Sequence, residues 1–175
     1  MKEFKEELTF KKHDGTIIEN VHDYVKYWTE DNPYGTVTIG CDSQEHAKFI
    51  KYAVSIVMHY RTKVEEKGGK VTYHGHGGHV ISAVYIDNSK TMKSDIYTKL
   101  WAETEITIFI AKQIGDIGIK PVIHLDYNSE ESEYSYVLYN AGIGFCKGLG
   151  YEAMGKPYAW AASHTADRVA KSGRQ

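Results

Sequence analysis

The sequence predicts an α/β domain built on a mixed five-stranded sheet with flanking helices. Residues 36–87 hold three β-rich runs separated by polar stretches, which read as an antiparallel meander. Beyond residue 94 the apolar period lengthens to a helical one, and helices then alternate with strands. Three antiparallel strands followed by alternating helix and strand give a mixed sheet flanked by helices. A length of 175 residues fits one domain, and 42% hydrophobic with 25% charged residues excludes disorder over most of the chain.

A short preface comes first. Residues 8–18 read as two short strands around the turn Asp14-Gly15. Residues 19–30 read as a helix, with Val21, Tyr24, Val25 and Trp28 at helical spacing and Asn32-Pro33 as its stop. Residues 1–34 are therefore expected to form a β-hairpin and helix extension packed on a domain spanning 35–175.

The meander strands fall at residues 36–41, 49–60 and 80–87. The charged, Gly-rich stretch 61–79 is expected as a hairpin loop with an extended tip. Residues 94–114 form a long amphipathic helix, because Ile96, Leu100, Trp101, Thr104, Ile108, Ala111 and Ile114 share a face. Gly115 and Gly118 end it. The very apolar run 119–126 reads as a central strand. A helix over 131–147 follows, weakened by Gly142 and Gly144, with Ser129 and Ser132 as candidate caps. Residues 151–154 give a short fifth strand, and Lys156-Pro157 opens a last helix that runs to about Lys171.

Four acids stand out at the ends of these elements. Asp42 closes the first meander strand and Asp126 closes the apolar strand. If those strands are neighbours, the two carboxylates lie side by side and repel unless a cation neutralises them. Helical projection sets Glu103 on the flank of the buried stripe, level with Ile110 and Ile114, and turns Glu105 toward water. Asp167 shares a face of the last helix with Trp160, His164 and Lys171. Each acid has an ordinary explanation: a turn at Asp42, a cap at Asp126, a snorkelling flank at Glu103, an i,i+4 pair with Lys171 at Asp167. Together, on strands and helices flanking one sheet, they form a hard oxygen set suited to Mg²⁺ or Mn²⁺. Two such ions ~4 Å apart can activate a water and stabilise the leaving oxygen of a phosphodiester.

With this element order and these acids, the chain resembles the ribonuclease H-like fold and, more closely, the YkuK family of ribonuclease H-like nucleases. The matching segments are Ile39-Gly40-Cys41-Asp42-Ser43-Gln44, Trp101-Ala102-Glu103, His124-Leu125-Asp126 and Gly148-Leu149-Gly150-Tyr151. They continue in Lys156-Pro157-Tyr158-Ala159-Trp160-Ala161-Ala162-Ser163 and Ala166-Asp167-Arg168. The resemblance implies metal-binding, catalytic acids at Asp42, Glu103, Asp126 and Asp167, two Mg²⁺ or Mn²⁺ ions, and hydrolysis of RNA, DNA or a hybrid. Asp42 and Asp126 would share the metals, with Glu103 on one and Asp167 on the other. Ser43, His164 and Lys156 are accessory candidates. Lys51, Lys156, Arg168 and Lys171 are candidate phosphate contacts, and Tyr127 or Trp160 candidate base or sugar contacts.

The residues also admit competing readings. His74, His76 and His79 in a Gly-rich stretch resemble a zinc tract, although neither cysteine lies near them and a hairpin tip explains them better. A non-catalytic nucleic-acid-binding or adaptor domain is the alternative on the same fold. A phosphotransferase finds no GxxxxGK[ST] loop. Two cysteines, no signal-like start and no apolar run of ~18–20 residues point to the cytoplasm and away from a membrane. Lys and Arg number 21 against 23 Asp and Glu, a net charge of −2 that speaks against a broad basic nucleic-acid face.

Overall fold

The computed structural model describes residues 4, 7–66, 68–88, 95–130 and 135–171. The elements run β1 (Lys11–Lys12), α1 (Val21–Asp31), β2 (Thr36–Glu45), β3 (Ile50–Glu65), β4 (Val71–Asp87), α2 (Ile96–Asp116), β5 (Val122–Asn128), α3 (Tyr136–Gly148) and β6 (Glu152–Lys156). A π-helical segment, Ala161–Ala166, then leads directly into α4 (Asp167–Lys171). The six strands form one sheet in the order β1-β4-β3-β2-β5-β6. β2, β3 and β4 are the antiparallel meander, and β5 and β6 add on in parallel. This is the mixed sheet with flanking helices expected, with the two-residue β1 as a sixth strand on the β4 edge.

Local chemistry sets the element boundaries. Gly15, at φ 89°, turns the chain between Lys12 and Thr16, as the Asp-Gly signal requires. Asn20 caps α1 by accepting from the Asp23 N–H at 3.1 Å, and Asp95 caps α2 by accepting from the Tyr97 N–H at 3.0 Å. Residues 94 and 131–134, where the long helix and the helix after β5 were expected to begin, lie outside the described residues, as does the candidate cap Ser132. Ser129 does not cap α3: its hydroxyl donates to the Lys156 carbonyl at 3.3 Å. Ser135 holds the N-cap position but turns its Oγ to the Asn128 N–H instead.

The loop expected over 61–79 is largely strand. β3 and β4 stay paired from Ile50↔Asp87 out to Glu65↔Val71, so only residues 66–70 form the tip. Beyond His59, which lies level with the first residue of β2, the two strands form a largely exposed ribbon, touched by Trp28 at Tyr60 and by Tyr34 at Tyr73. Such a ribbon carries no apolar alternation, which is why its composition reads as loop. His74 and His76 sit exposed on β4, while His79 bonds the Tyr24 hydroxyl at 2.7 Å. Among the described residues no three His, Cys, Asp or Glu side chains gather as a metal group.

The core lies on both faces of the sheet. Val37 to Cys41 are all buried, because α2 covers one face of β2 and the C-terminal segment covers the other. Gly142 lets α3 approach β5: a Cβ there would overlap the Tyr127 ring. Among the described residues no helix is long and apolar enough to cross a membrane.

Candidate functional site

β2 and β5 run side by side with Thr38↔Val122, Ile39↔Ile123 and Gly40↔His124 in register. The same offset of 84 residues sets Asp42 level with Asp126. The ladder stops at Gly40↔His124, and the β5–β6 register also shifts between His124 and Asn128. The two aspartates therefore lie just beyond the point where the parallel ladder ends and the strands diverge, the usual place for a crevice in an α/β sheet. Asp42 is not at the end of its strand, as expected, but inside it: β2 continues to Glu45 against β3, with Asp42 opposite Ala53. No turn forms there, although Asp42 Oδ1 accepts from the Ser43 N–H at 2.8 Å.

Period-two alternation sorts the side chains. Asp42, His124 and Asp126 face the C-terminal segment, whose Ala161 N–H donates to His124 Nδ1 at 3.1 Å. Asp167 stands at the junction between the π-helical turn and α4 on that side. Ser43, Leu125 and Tyr127 face α2 and α3. There Ser43 Oγ donates to Glu103 Oε1 at 2.5 Å, and the Tyr127 hydroxyl donates to the Leu100 carbonyl at 3.0 Å while contacting Thr104 Oγ1. The fold thus collects three aspartates on one face and brings Glu103 to them from the other, through Ser43.

The electrostatics record this proximity. Burial, then the charge of Asp126 and the nearness of Asp167, pushes the Asp42 carboxyl up to about 7. Burial, then the charge of Asp42, pushes Glu103 well above the ordinary carboxylate range, with Asp126 adding to it. Glu103 is 4% exposed and its Oε2 is a buried atom with no hydrogen-bond partner. Two lysines compensate: Lys156 Nζ lies 3.0 Å from Asp126 Oδ2, and Lys171 Nζ lies 2.7 Å from Asp167 Oδ1, the i,i+4 pair anticipated for that acid. The charge of Lys99 also acts on Glu103, so the acids are partly offset by nearby cations; as hard oxygen donors, the four carboxylates are of the kind that takes Mg²⁺ or Mn²⁺. Their oxygens are not drawn together into a ready ligand set among the described residues.

Other candidates fare differently. His164, Arg168 and Lys171 are exposed. Lys51 is not a phosphate contact: it is 8% exposed and its Nζ donates to the Val169 carbonyl at 3.0 Å. Tyr127 is not a stacking platform either, being fully buried under Gly142. Trp160 packs between His59, at 4.5 Å between ring centroids, and His124, edge-on at 5.0 Å. Glu105 is half-buried rather than turned fully to water.

His124 is the residue whose role the sequence reading missed. Burial drives its pKa down to about 4, so it stays neutral and can accept from Ala161. A histidine inside an apolar strand, two residues before Asp126 and so on the same face, was the available signal.

A family model described as ribonuclease H-like matches residues 16–171. No curated protein and no solved structure matches the chain. A meander extended by two parallel strands, with acids where β2 and β5 diverge, agrees with that match, and the chain belongs to the ribonuclease H-like family.

Proposed function

We propose that the protein is a divalent-metal-dependent nuclease of the YkuK type, hydrolysing phosphodiester bonds of RNA, DNA or a hybrid. Membership of the ribonuclease H-like family supports a nuclease-related role. The observation that carries the reading is the mutual proximity of Asp42, Glu103, Asp126 and Asp167, carried on four elements, which together with burial makes Asp42 and Glu103 unfavourable as charged groups. These four acids would hold Mg²⁺ or Mn²⁺, two ions in the working site. The bound cations would supply charge neutralisation, activation of the attacking water and stabilisation of the leaving oxygen.

The chain's own residues do the rest. Asp42 and Asp126, on adjacent strands, anchor the centre on rigid sheet. Asp167 joins them from the C-terminal segment, held in turn to β5 by the Ala161–His124 hydrogen bond. Lys156 and Lys171, paired with Asp126 and Asp167, would be the ammonium groups beside the site for phosphate oxygens once those carboxylates hold a cation. His164, exposed three residues before Asp167, is the candidate for handing a proton to the departing oxygen.

The test is cleavage of labelled RNA, DNA and hybrid oligonucleotides with Mg²⁺ or Mn²⁺. Wild type should cleave at least one of them, and Asp126→Asn should cut at least about 100-fold more slowly, the scale of losing an essential electrostatic group. Equal rates, or no cleavage by either, would remove the catalytic reading. One observation favours the runner-up, a non-catalytic nucleic-acid-binding domain: the acids are partly satisfied by lysines and their oxygens are not gathered. Such a domain would keep its nucleic-acid affinity in Asp42→Asn, whereas the nuclease would lose metal-dependent binding.

A further inference from the structure

We propose that Ser43 is the positioning residue of the cation site, clamping one oxygen of Glu103 so that the other, Oε2, is presented as a ligand. The inference rests on the metal reading above and says how one of its four acids is held. Glu103 arrives on α2, on the opposite face of β2 from Asp42. A glutamate has three side-chain torsions, so its carboxylate needs a second contact to be held in one place. Ser43 supplies it: Oγ donates to Oε1 at 2.5 Å, between groups 60 residues apart in sequence. Both residues are buried, at 9% and 4% exposure.

The other oxygen has the opposite status. Oε2 is buried with no partner, while buried carboxylate oxygens ordinarily accept hydrogen bonds or bind a cation. A clamp on Oε1 and an empty Oε2 is the pattern of a one-oxygen ligand oriented from behind, and hydroxyls that orient ligating carboxylates are part of a working site. The dipeptide Asp42-Ser43 then serves both faces of β2. Asp42 offers its own carboxylate on one side, and Ser43 aims Glu103 from the other. If Ser43 merely satisfied a buried acid, its loss would lower stability and leave cation affinity unmoved.

The experiment measures the Mn²⁺ dissociation constant of the full chain by titration calorimetry, with the melting temperature in EDTA as a fold check. Ser43→Ala should weaken Mn²⁺ about 10- to 100-fold. Ser43→Thr keeps the hydroxyl and should restore binding. Ser43→Cys keeps the volume with a poor donor and should weaken binding even if the alanine variant does not fold. In a Glu103→Gln background, Ser43→Ala should add nothing further, because the two act as one unit. Unchanged affinity in both the alanine and cysteine variants overturns the proposal, as does an equal loss in the glutamine background. Mn²⁺ binding that is lost in Asp126→Asn yet unmoved by the Ser43 variants sinks this inference alone. A wild-type chain that binds no Mn²⁺ sinks the metal reading and this inference together.

Discussion

Asp42 shows how the site trades stability for charge. Its pKa near 7, against an ordinary 3.8, means the folded chain holds a proton there that the unfolded chain gives up at lower pH. That contribution is complete below about pH 4 and fades as pH rises through 7. In EDTA, Asp42→Asn should match wild type near pH ~3.5 and melt higher at pH 8, by an amount on the order of 1–3 kcal/mol. Mn²⁺ should raise the melting temperature of wild type and not of the variant. A variant no more stable than wild type at pH 8 would mean that the aspartates do not strain one another. The same alternation explains what the sequence reading got right and wrong nearby. Asp42 and Asp126 were legible because each ends an apolar run, and strand adjacency brought them level. Tyr127 was misjudged because it directly follows Asp126: successive strand residues face opposite ways, so a neighbour of the site in sequence lies in the core. Lys51 was misjudged because nothing local announces a carbonyl 118 residues away as its partner.

The elements were legible where periodicity met a clear stop. The α1 stop at Asn32-Pro33, the long α2 helix and the order of β2 to β6 all follow from local patterns. The ribbon beyond His59 was not, since strands that bury neither face lose the alternation by which strands are recognised. The π-helical turn before α4 was not legible either, because its start is tied to β5 by His124, a tertiary contact. Such turns recur at functional sites, and this one opens onto Asp167. The two glycines that weaken α3 as a pattern turn out to be unlike. At Gly142 a Cβ would overlap Tyr127, whereas at Gly144 nothing lies within 4 Å. Alanine gains up to about 1 kcal/mol over glycine in a helix. Overpacking a filled core costs about 1–3 kcal/mol, so the clash wins at Gly142. In urea unfolding, Gly142→Ala should lower the midpoint and Gly144→Ala should raise it by the equivalent of about 0.5–1 kcal/mol. A raised midpoint for Gly142→Ala would mean that α3 can back away from β5.

At the scale of the whole molecule the question is how a chain of net charge −2 engages a polyanion. Three of its aspartates lie on one face where β2 and β5 part, with Glu103 behind them, and two divalent ions held there would add about +4, shifting the working charge to about +2. That positive charge would be local, set between Asp42 and Asp126 with Lys156 and Lys171 beside it. Elsewhere the sequence offers no excess of Lys and Arg over Asp and Glu from which to build a broad basic face. Binding should therefore be governed by the cation and by few phosphate contacts. Fluorescence anisotropy of a labelled oligonucleotide would measure this, with Ca²⁺ standing in for the reactive ions to slow cleavage. Affinity in EDTA should fall at least about tenfold below that in Ca²⁺, the loss expected when the main positive charge leaves the site. In Ca²⁺, log affinity against log salt should slope by only about −2 to −3, which corresponds to two or three neutralised phosphates. Tight binding in EDTA with a steep salt slope would instead mean that a distributed cationic surface holds the strand and that the acid crevice does not set affinity.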